Sequence, residues 1–179
     1  RFRHRWRSLN EPEIEEASSL TAFMSTVTGK IDAKGRVSVP SVFRAAAVAQ
    51  GFNGVYLYPS FTEQAVEGGG QLLMDSVNQM VGQLDPYSEE RDALATALFA
   101  DSHQLNFDGD GRVSLPTALL DHAGIDKSLT FVGLGAKFQI WEPEIFADHR
   151  SKARDLAKQH RGMLRSLAGG PLPDKAGGG

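Results

Sequence analysis

Two ten-residue stretches of this chain repeat each other without a gap. Residues 31–40 read IDAKGRVSVP and residues 107–116 read FDGDGRVSLP, and six of these ten positions are identical. Such self-similarity indicates a duplicated structural unit, and it constrains the fold more than any local propensity does. We therefore expect two halves with the same plan, each built around an Asp-x-x-x-Arg turn.

Each copy predicts the same run of elements: a strand, the turn, a second strand, a helix and a further strand. Short alternating segments on both sides of the turn are typical of a hairpin. Proline suits the first turn of the helix because its missing N–H would be unpaired there, and glycine ends the helix. In the first copy these segments are TVTGKI, the turn Asp32–Gly35, RVSV, Pro40, SVFRAAAVA, Gly51 and GVYLYP. In the second copy they are QLNF, the turn, RVSL, Pro116, TALLDHA, Gly124, LTFVGL and AKFQIW.

The rest of the chain predicts helices and flexible ends. QLLMDSVNQMVGQL has an apolar stripe at helical spacing, and Ser88 suits the N-cap of a second helix. The expected boundaries are a flexible N-terminal extension 1–23 upstream of Met24, a first half 24–70, a helical connector 71–101, a second half 102–143, a C-terminal helix 144–167 and a flexible tail 168–179.

The acidic turn Asp108-Gly-Asp-Gly looks like the start of a calcium loop, but three requirements fail together. If Asp108 is position one, a ligand position is taken by Arg112, the turn glycine is replaced by Val113 and the closing glutamate by Leu119. We therefore expect no metal, and a turn between two strands.

Other motifs that carry chemistry are missing from the sequence. There is no cysteine, so neither a disulfide framework nor a thiolate site is available. No run of about eighteen apolar residues predicts a membrane span. Residues 133–138, GLGAKF, lack the third glycine of a dinucleotide fingerprint and lead into a strand, so we expect a hairpin turn. Without a Walker motif, a nucleophile elbow or paired histidines, we expect no enzyme and no cofactor.

Charge is distributed unevenly along the chain, whose formal net charge is −3. Residues 30–44 carry four bases against one acid, whereas residues 60–106 carry eight acids against one base. This asymmetry is typical of a nucleic-acid face, although ordinary solvated surface produces it too.

The first turn presents Lys34 and Arg36, and cations at a hairpin tip suit phosphate oxygens and guanine edges in a major groove. Arg36 has an equally simple structural role, because Asp32 stands four residues earlier and can pair with it across the turn. Both roles are compatible. Lys30 and Arg44 are further candidates for DNA contacts near this tip.

The second turn presents Arg112, and Asp110 takes the place of the lysine. Asp108 can pair with Arg112 as Asp32 can with the first arginine. The turns themselves require their aspartates and the glycines Gly35 and Gly111, because glycine tolerates positive φ and aspartate caps turn backbone.

The paired motifs resemble the MraZ family of bacterial transcriptional regulators. The resemblance rests on GKIDAKGRVSVPSVFR, DGDGRVSLPTALLDHAGI and VGLGAKFQIWEPEIF, and it covers about Met24 to Leu167. It implies an α+β, mainly β fold: two tandem AbrB-like swapped-hairpin β-α-β halves form one pseudo-two-fold barrel, with peripheral helices. Residues 1–23 have no counterpart in the family pattern.

The resemblance also implies a function. It implies a sequence-specific repressor that binds direct repeats in double-stranded promoter DNA of the division and cell-wall gene cluster, its own promoter included. It implies a homo-oligomer, a ring, in the cytoplasm at the nucleoid, with no membrane or small-molecule partner. By the resemblance Arg36 and Lys34 carry DNA binding in the first half, and Arg112 is the matching residue of a less cationic second turn. The alternative is an AbrB-like antitoxin or protein-interaction module that binds a partner protein.

Overall fold

A computed structural model of the chain describes residues 21–167, so the expectations for residues 1–20 and for the tail 168–179 lie outside the described residues. The strands are β1 (Thr26–Lys30), β2 (Arg36–Ser38), β3 (Gly54–Pro59), β4 (Val66–Gly69), β5 (His103–Asn106), β6 (Arg112–Ser114), β7 (Ser128–Gly133) and β8 (Phe138–Trp141). The helices are α1 (Ser41–Ala49), α2 (Gln71–Gly82), α3 (Glu89–Ala95), α4 (Thr117–Ala123) and α5 (Pro143–Leu167), and a π-helical turn (Thr96–Ala100) follows α3.

The chain divides after Glu142 into two compact units. The first contains β1–β8 and α1–α4, and the second contains α5. Antiparallel sheets with separate helices make this an α+β fold, as the resemblance implies. Within residues 21–167, none of the helices is long and apolar enough to cross a membrane.

The repeated prolines and glycines set the ends of the two equivalent helices. Pro40 and Pro116 precede α1 and α4 with φ angles of −52° and −58°, and their carbonyls accept the first N–H groups of each helix. Gly124 follows α4 in the left-handed conformation, with φ 66°, which glycine adopts without steric cost. Gly51 follows α1 with φ 95°. Both helices end where the sequence predicts.

Strands of the two halves are exchanged. The main sheet has the order β1-β7-β8-β4-β3-β5, and a separate two-stranded sheet pairs β2 with β6. β1 opens the first half but pairs with β7 of the second, and β5 opens the second half but pairs with β3 of the first. Each half therefore contributes its first strand to the side of the main sheet that the other half forms.

The strand registers relate the two halves by an approximate two-fold axis. Val37 faces Val113 at the middle of the β2–β6 pair, and Glu67 faces Gln139 at the middle of the β4–β8 pair. β1 and β5 are the two edge strands of the main sheet, and they are not paired with each other. The barrel that the resemblance implies therefore stays a prediction.

Four phenylalanine rings form the centre of the core. The ring of Phe43 in α1 lies 5.6 Å from Phe23, 5.9 Å from Phe131 and 5.2 Å from Phe138, measured between centroids. Phe23 is fully buried, and its backbone N–H and carbonyl bond to Gly135. The structure thus corrects the expected end of the N-terminal extension: Phe23 belongs to the core, because burying its ring gains the free energy of removing apolar surface from water.

β4 is a strand that the sequence analysis does not predict. Its four residues, VEGG, include two glycines, and glycine is depleted in strands. Packing requires both of them. A Cβ on Gly68 would overlap the ring of Phe138, and a Cβ on Gly69 would lie 2.7 Å from the side chain of Leu73. The glycines therefore let this strand approach its neighbours closely.

A buried carboxylate lies where the axis crosses the main sheet. Oε1 of Glu67 accepts hydrogen bonds from Nε2 of Gln139 at 2.8 Å and from Oγ of Ser60 at 3.0 Å. Nζ of Lys137 lies 2.8 Å from Oε2, and it supplies the opposite charge that a buried carboxylate requires. Oε1 of Gln139 accepts from the indole N–H of Trp141 at 3.0 Å. The network joins β4 of the first half to β8 of the second.

We expect Gln139→Ala to lower the free energy of unfolding by about 1–3 kcal/mol, because it leaves the Glu67 carboxylate and the Trp141 N–H each short of a buried partner. Urea unfolding followed by circular dichroism measures the change. Gln104→Ala, on the exposed edge of β5, is the control and should stay within about 0.5 kcal/mol of the parent. Equal losses from the two variants would contradict the stabilising role of the network.

Candidate nucleic-acid interface

The first Asp-x-x-x-Arg turn joins β1 to β2, and the carboxylate of Asp32 holds it. Oδ1 of Asp32 accepts hydrogen bonds from the backbone N–H groups of Lys34 and Arg36, both at 2.9 Å. The backbone of Asp32 donates to the carbonyl of Arg36 at 2.9 Å and accepts from the N–H of Gly35 at 3.0 Å. Gly35 has φ 74°, where a side chain would be strained. Aspartate and glycine are therefore both required by the geometry of the turn.

Asp32 also fixes the side chain of Arg36. Its Oδ2 lies 2.8 Å from Nε and 2.7 Å from Nη2 of Arg36, so the ion pair that the four-residue spacing allows is present. The side chain of Arg36 is 28% exposed, and within the described part of the chain no hydrogen bond or ion pair occupies its Nη1. Lys34 is exposed at the tip of the same turn. Arg36 thus combines a fixed orientation with donors that a ligand can still use.

The second turn repeats this geometry around Asp108. Oδ1 of Asp108 accepts from the backbone N–H groups of Asp110 and Arg112, both at 2.9 Å, and Oδ2 accepts from Nε of Arg112 at 2.9 Å. Gly111 has φ 72°, close to the value at the equivalent Gly35. Hydrogen bonds from Arg112, backbone before side chain, lower the pKa of Asp108 below its usual value. The two turns therefore share one backbone design.

The two turns differ in charge. Nη2 of Arg112 lies 2.7 Å from Oδ2 of Asp110, so this arginine is bound by two carboxylates. The hydrogen bond to Asp108 raises the pKa of Arg112, and the charge of Asp110 acts in the same direction. The first turn holds one acid and two bases, and the second holds two acids and one base, so their formal charges are +1 and −1. An anionic ligand is favoured at the first turn.

The β2–β6 ribbon places the two turns at its opposite ends. The N–H of Val39 donates to the carbonyl of Gly111 at 3.1 Å, and the N–H of Leu115 donates to the carbonyl of Gly35 at 3.0 Å. Each turn is thereby anchored to a segment of the other half. The position of the candidate site in the first half is consequently fixed by residues of the second.

The two remaining candidate cations, Lys30 and Arg44, have different surroundings. Lys30 ends β1 and is exposed. Arg44 is expected near the first tip, but the structure places it against the second turn, since its Nη1 lies 3.3 Å from the carbonyl of Val39 and 3.4 Å from that of Gly111. A Cβ on Gly111 would overlap its guanidinium. Leu120 occupies the equivalent position of the second half, and that difference within the repeat is the signal that could have indicated a special role for Arg44.

The chemistry that this arrangement supports is the binding of anions. Within residues 21–167, no three histidine, aspartate or glutamate side chains are grouped so that they could hold a metal ion. A groove of about 500 Å³ lies beside the second turn, and its lining includes Arg44, Phe107 and Asp110, so it mixes both signs of charge with apolar surface. At the first turn, exposed positive charge and a fixed orientation coincide.

The ion pair at the first turn should be visible in a pH titration. Hydrogen bonds from Arg36, side chain before backbone, lower the pKa of Asp32 from 3.8 to about 2. Because the folded pKa lies below the unfolded value, the stability that this pair contributes is complete above about pH 4 and is lost as the pH falls towards 2. Carbon-detected NMR of the aspartate carboxyls, assigned with Asp32→Asn, should give a midpoint near 2. A midpoint near 3.8 would show that the pair does not persist in solution.

Comparison with known proteins identifies relatives of this chain. Residues 98–166 match the family described as "MraZ protein, putative antitoxin-like". Transcriptional regulator MraZ of Rickettsia bellii (strain OSU 85-389) is 46% identical over 140 residues, which are 78% of this chain and 93% of that protein. Transcriptional regulator MraZ of Parvibaculum lavamentivorans is 42% identical over 160 residues, 89% and 99% of the two chains. That of Beijerinckia indica subsp. indica is 47% identical over 141 residues, 76% and 86%.

These identities extend over most of this chain and almost the whole of each relative, and they agree with the resemblance carried by the two Asp-x-x-x-Arg turns. This chain belongs to the MraZ family.

Proposed function

We propose that this protein is a DNA-binding transcriptional regulator without catalytic activity. The observation that carries the proposal is the first turn, where Asp32 orients Arg36 and Lys34 extends from the tip. A two-stranded ribbon fits the major groove of B-DNA, and a guanidinium there can bond to O6 and N7 of guanine. The matched relatives are transcriptional regulators, which supports the same function.

The finer assignment is a repressor that acts on direct repeats in the promoter of the division and cell-wall gene cluster, its own promoter included. Family membership supports this target, and with it a place in the cytoplasm at the nucleoid. The exchange of strands between the halves supports a tandem AbrB-like swapped-hairpin fold. Footprinting the protein on DNA upstream of its own gene tests the assignment directly.

A single first turn offers little affinity. Lys34, Arg36 and Lys30 are the cations available there, and three phosphate contacts give a slope of only about −2.7 in log K against log salt concentration. The net charge of −3 provides no long-range attraction for DNA. A homo-oligomeric ring that carries several tips would make the second and third contacts intramolecular. Each of the repeated DNA sites would then contact one of the repeated tips of the ring.

A partner protein is the second candidate ligand. The matched family is described as antitoxin-like, and α5 exposes apolar side chains that a protein could cover. Purification from its own cells in the absence of DNA distinguishes the two functions. A toxin recovered in stoichiometric amount would favour the antitoxin, and recovery of the protein alone would favour the regulator.

We expect Arg36→Ala to weaken specific DNA binding far more than Arg112→Ala. Each change removes a pair to the turn aspartate, and Arg112→Ala removes the ion pair to Asp110 as well, so its structural damage is at least as large. The loss of one good base contact costs about 1–3 kcal/mol, and this cost recurs at each bound subunit. Arg112 is already held by two carboxylates, so its removal should change affinity less.

A gel-shift titration of both variants, with circular dichroism to check the fold, measures the difference. Arg36→Lys serves as a further control, because it keeps the charge but lacks the fork of donors. Equal losses from Arg36→Ala and Arg112→Ala would contradict the proposed asymmetry of the turns.

The rigid spacing of the tips should require a matching spacing of the DNA repeats, close to one helical turn of about 10–10.5 base pairs. Inserting half a turn between two repeats moves the second site to the opposite face of the duplex, so affinity should fall sharply. Inserting a full turn should restore part of it. A gel-shift series over spacer lengths tests this, with the mass of the protein measured in parallel. Tight binding by a monomer, indifferent to the spacer, would refute the avidity mechanism.

A further inference from the structure

Helix α5 carries apolar side chains that are open to solvent. Leu156, Met163, Leu164 and Leu167 are 55%, 61%, 73% and 83% exposed. A helix in a protein gains most of its stability by burying an apolar face, and short helices in water are marginal. Several large apolar side chains on one exposed helix therefore indicate a binding surface.

The spacing of these residues shows what kind of surface it is. Steps of three and four residues alternate along the exposed C-terminal part of α5, through Ala153, Leu156, His160, Met163 and Leu167. This 3.5-residue period keeps a seam on one side of a helix and is typical of packing along another helix. We call this set of residues the seam of α5.

The charge around the seam selects the partner. Residues 150–161 carry five bases, and Asp155 is the one acid among them. Two copies of α5 packed on each other would bring like charges together, which disfavours that pairing. The partner that fits best is helical, has apolar side chains exposed and is acidic.

The helical connector, residues 71–101, has all three properties. Six acids lie in it against Arg91 alone: Asp75, Asp85, Glu89, Glu90, Asp92 and Asp101. Leu72 and Met80 of α2 are 53% and 58% exposed. No residue of α3 or of the π-helical turn is buried, although that stretch includes Leu94, Leu98 and Phe99. The connector is thus an acidic surface with apolar area still to cover.

We propose that the seam of α5 in one copy of the protein docks on the acidic connector of a second copy. The proposal rests on the homo-oligomer proposed above and names the surfaces that build it. The two surfaces differ, so the contact is heterologous, and every copy offers one of each. Such contacts repeat from copy to copy and close into a ring when the rotation allows it.

Reversal of charge on either surface should break the assembly. The first variant combines Arg154→Glu with Arg161→Glu, two exposed positions seven residues apart on α5. The second variant combines Glu90→Lys with Asp101→Lys on the connector. Glu90 lies in the first turn of α3, where the helix dipole disfavours a lysine, and Asp101 follows the π-helical turn, where the dipole favours one. Light scattering without DNA should give a multiple of 19.4 kDa for the parent and a mass near 19.4 kDa for each variant.

Mixing the two variants is the sharper arm of the experiment. The acidic α5 of the first variant then meets the basic connector of the second, and the basic α5 of the second meets the acidic connector of the first. The mixture should recover the mass of the parent, and so should one chain that carries all four changes. Asp121→Lys with Lys127→Glu, exposed positions outside both surfaces, is the matched control and should leave the mass unchanged.

The outcomes separate this interface from the proposed function. Three results would overturn the interface. In the first, both charge-reversal variants keep the mass of the parent; in the second, their mixture stays monomeric; in the third, the parent itself is a monomer. Gel shifts on promoter DNA are read independently. A parent multimer that fails to bind DNA would refute the regulator but leave the interface standing. DNA binding by a parent whose variants keep their mass would refute the interface alone.

Discussion

Backbone hydrogen bonds across the repeat are the constraint on which the rest of this structure depends. β1 and β5 each find their partner strand in the opposite half, and β2 pairs with β6. The anchoring of the turns continues this exchange, since the carbonyl of each turn glycine accepts an N–H from the other half. The geometry of the candidate binding turn therefore depends on both halves, and the turn cannot be treated as a local motif.

The carboxylate of Asp32 connects this scaffold to the proposed DNA site. One oxygen accepts the two backbone N–H groups that close the turn, and the other orients the guanidinium of Arg36. The same group thus serves the fold and the proposed site, and its counterpart Asp108 holds the second turn in the same way, although the formal charge of that turn is −1. The difference that changes the charge of the turn, Lys34 against Asp110, lies where the turn requires only a backbone N–H and no particular side chain.

Much of this arrangement could be predicted from sequence because it is local. Proline, glycine and the four-residue Asp–Arg spacing act within one turn of chain, and the helix ends and both ion pairs were predicted from them. Arg44 could not be placed in this way. It lies near the first turn in sequence, but its contact at Gly111 is 67 residues away and exists only because the halves exchange strands.

Two other features were hidden for different physical reasons. Phe23 is one aromatic residue seven positions beyond a charged N-terminal stretch, and no periodicity marks it as core. β4 has the composition of a loop, since the close approach of Phe138 requires glycine in a strand that its pattern alone would not predict. In both cases the deciding partner lies more than a hundred residues away or in the opposite half, where sequence pattern carries no information.

The pair of Glu67 and Gln139 on the axis has a consequence for the origin of the fold. In a symmetric dimer of identical halves, a residue on the axis faces its own copy, so a glutamate would meet a glutamate and a glutamine a glutamine. Joining the halves in one polypeptide removes that restriction, and here an acid faces the amide that donates to it at 2.8 Å. If the halves were expressed as separate fragments, two first halves would bury the carboxylate of Glu67 against its own copy. A first half paired with a second half would instead form the hydrogen bond between Glu67 and Gln139. Covalent linkage thus allows the two copies of the repeat to be unequal partners, of which one can carry the proposed DNA contacts while the other supplies strands that complete the main sheet.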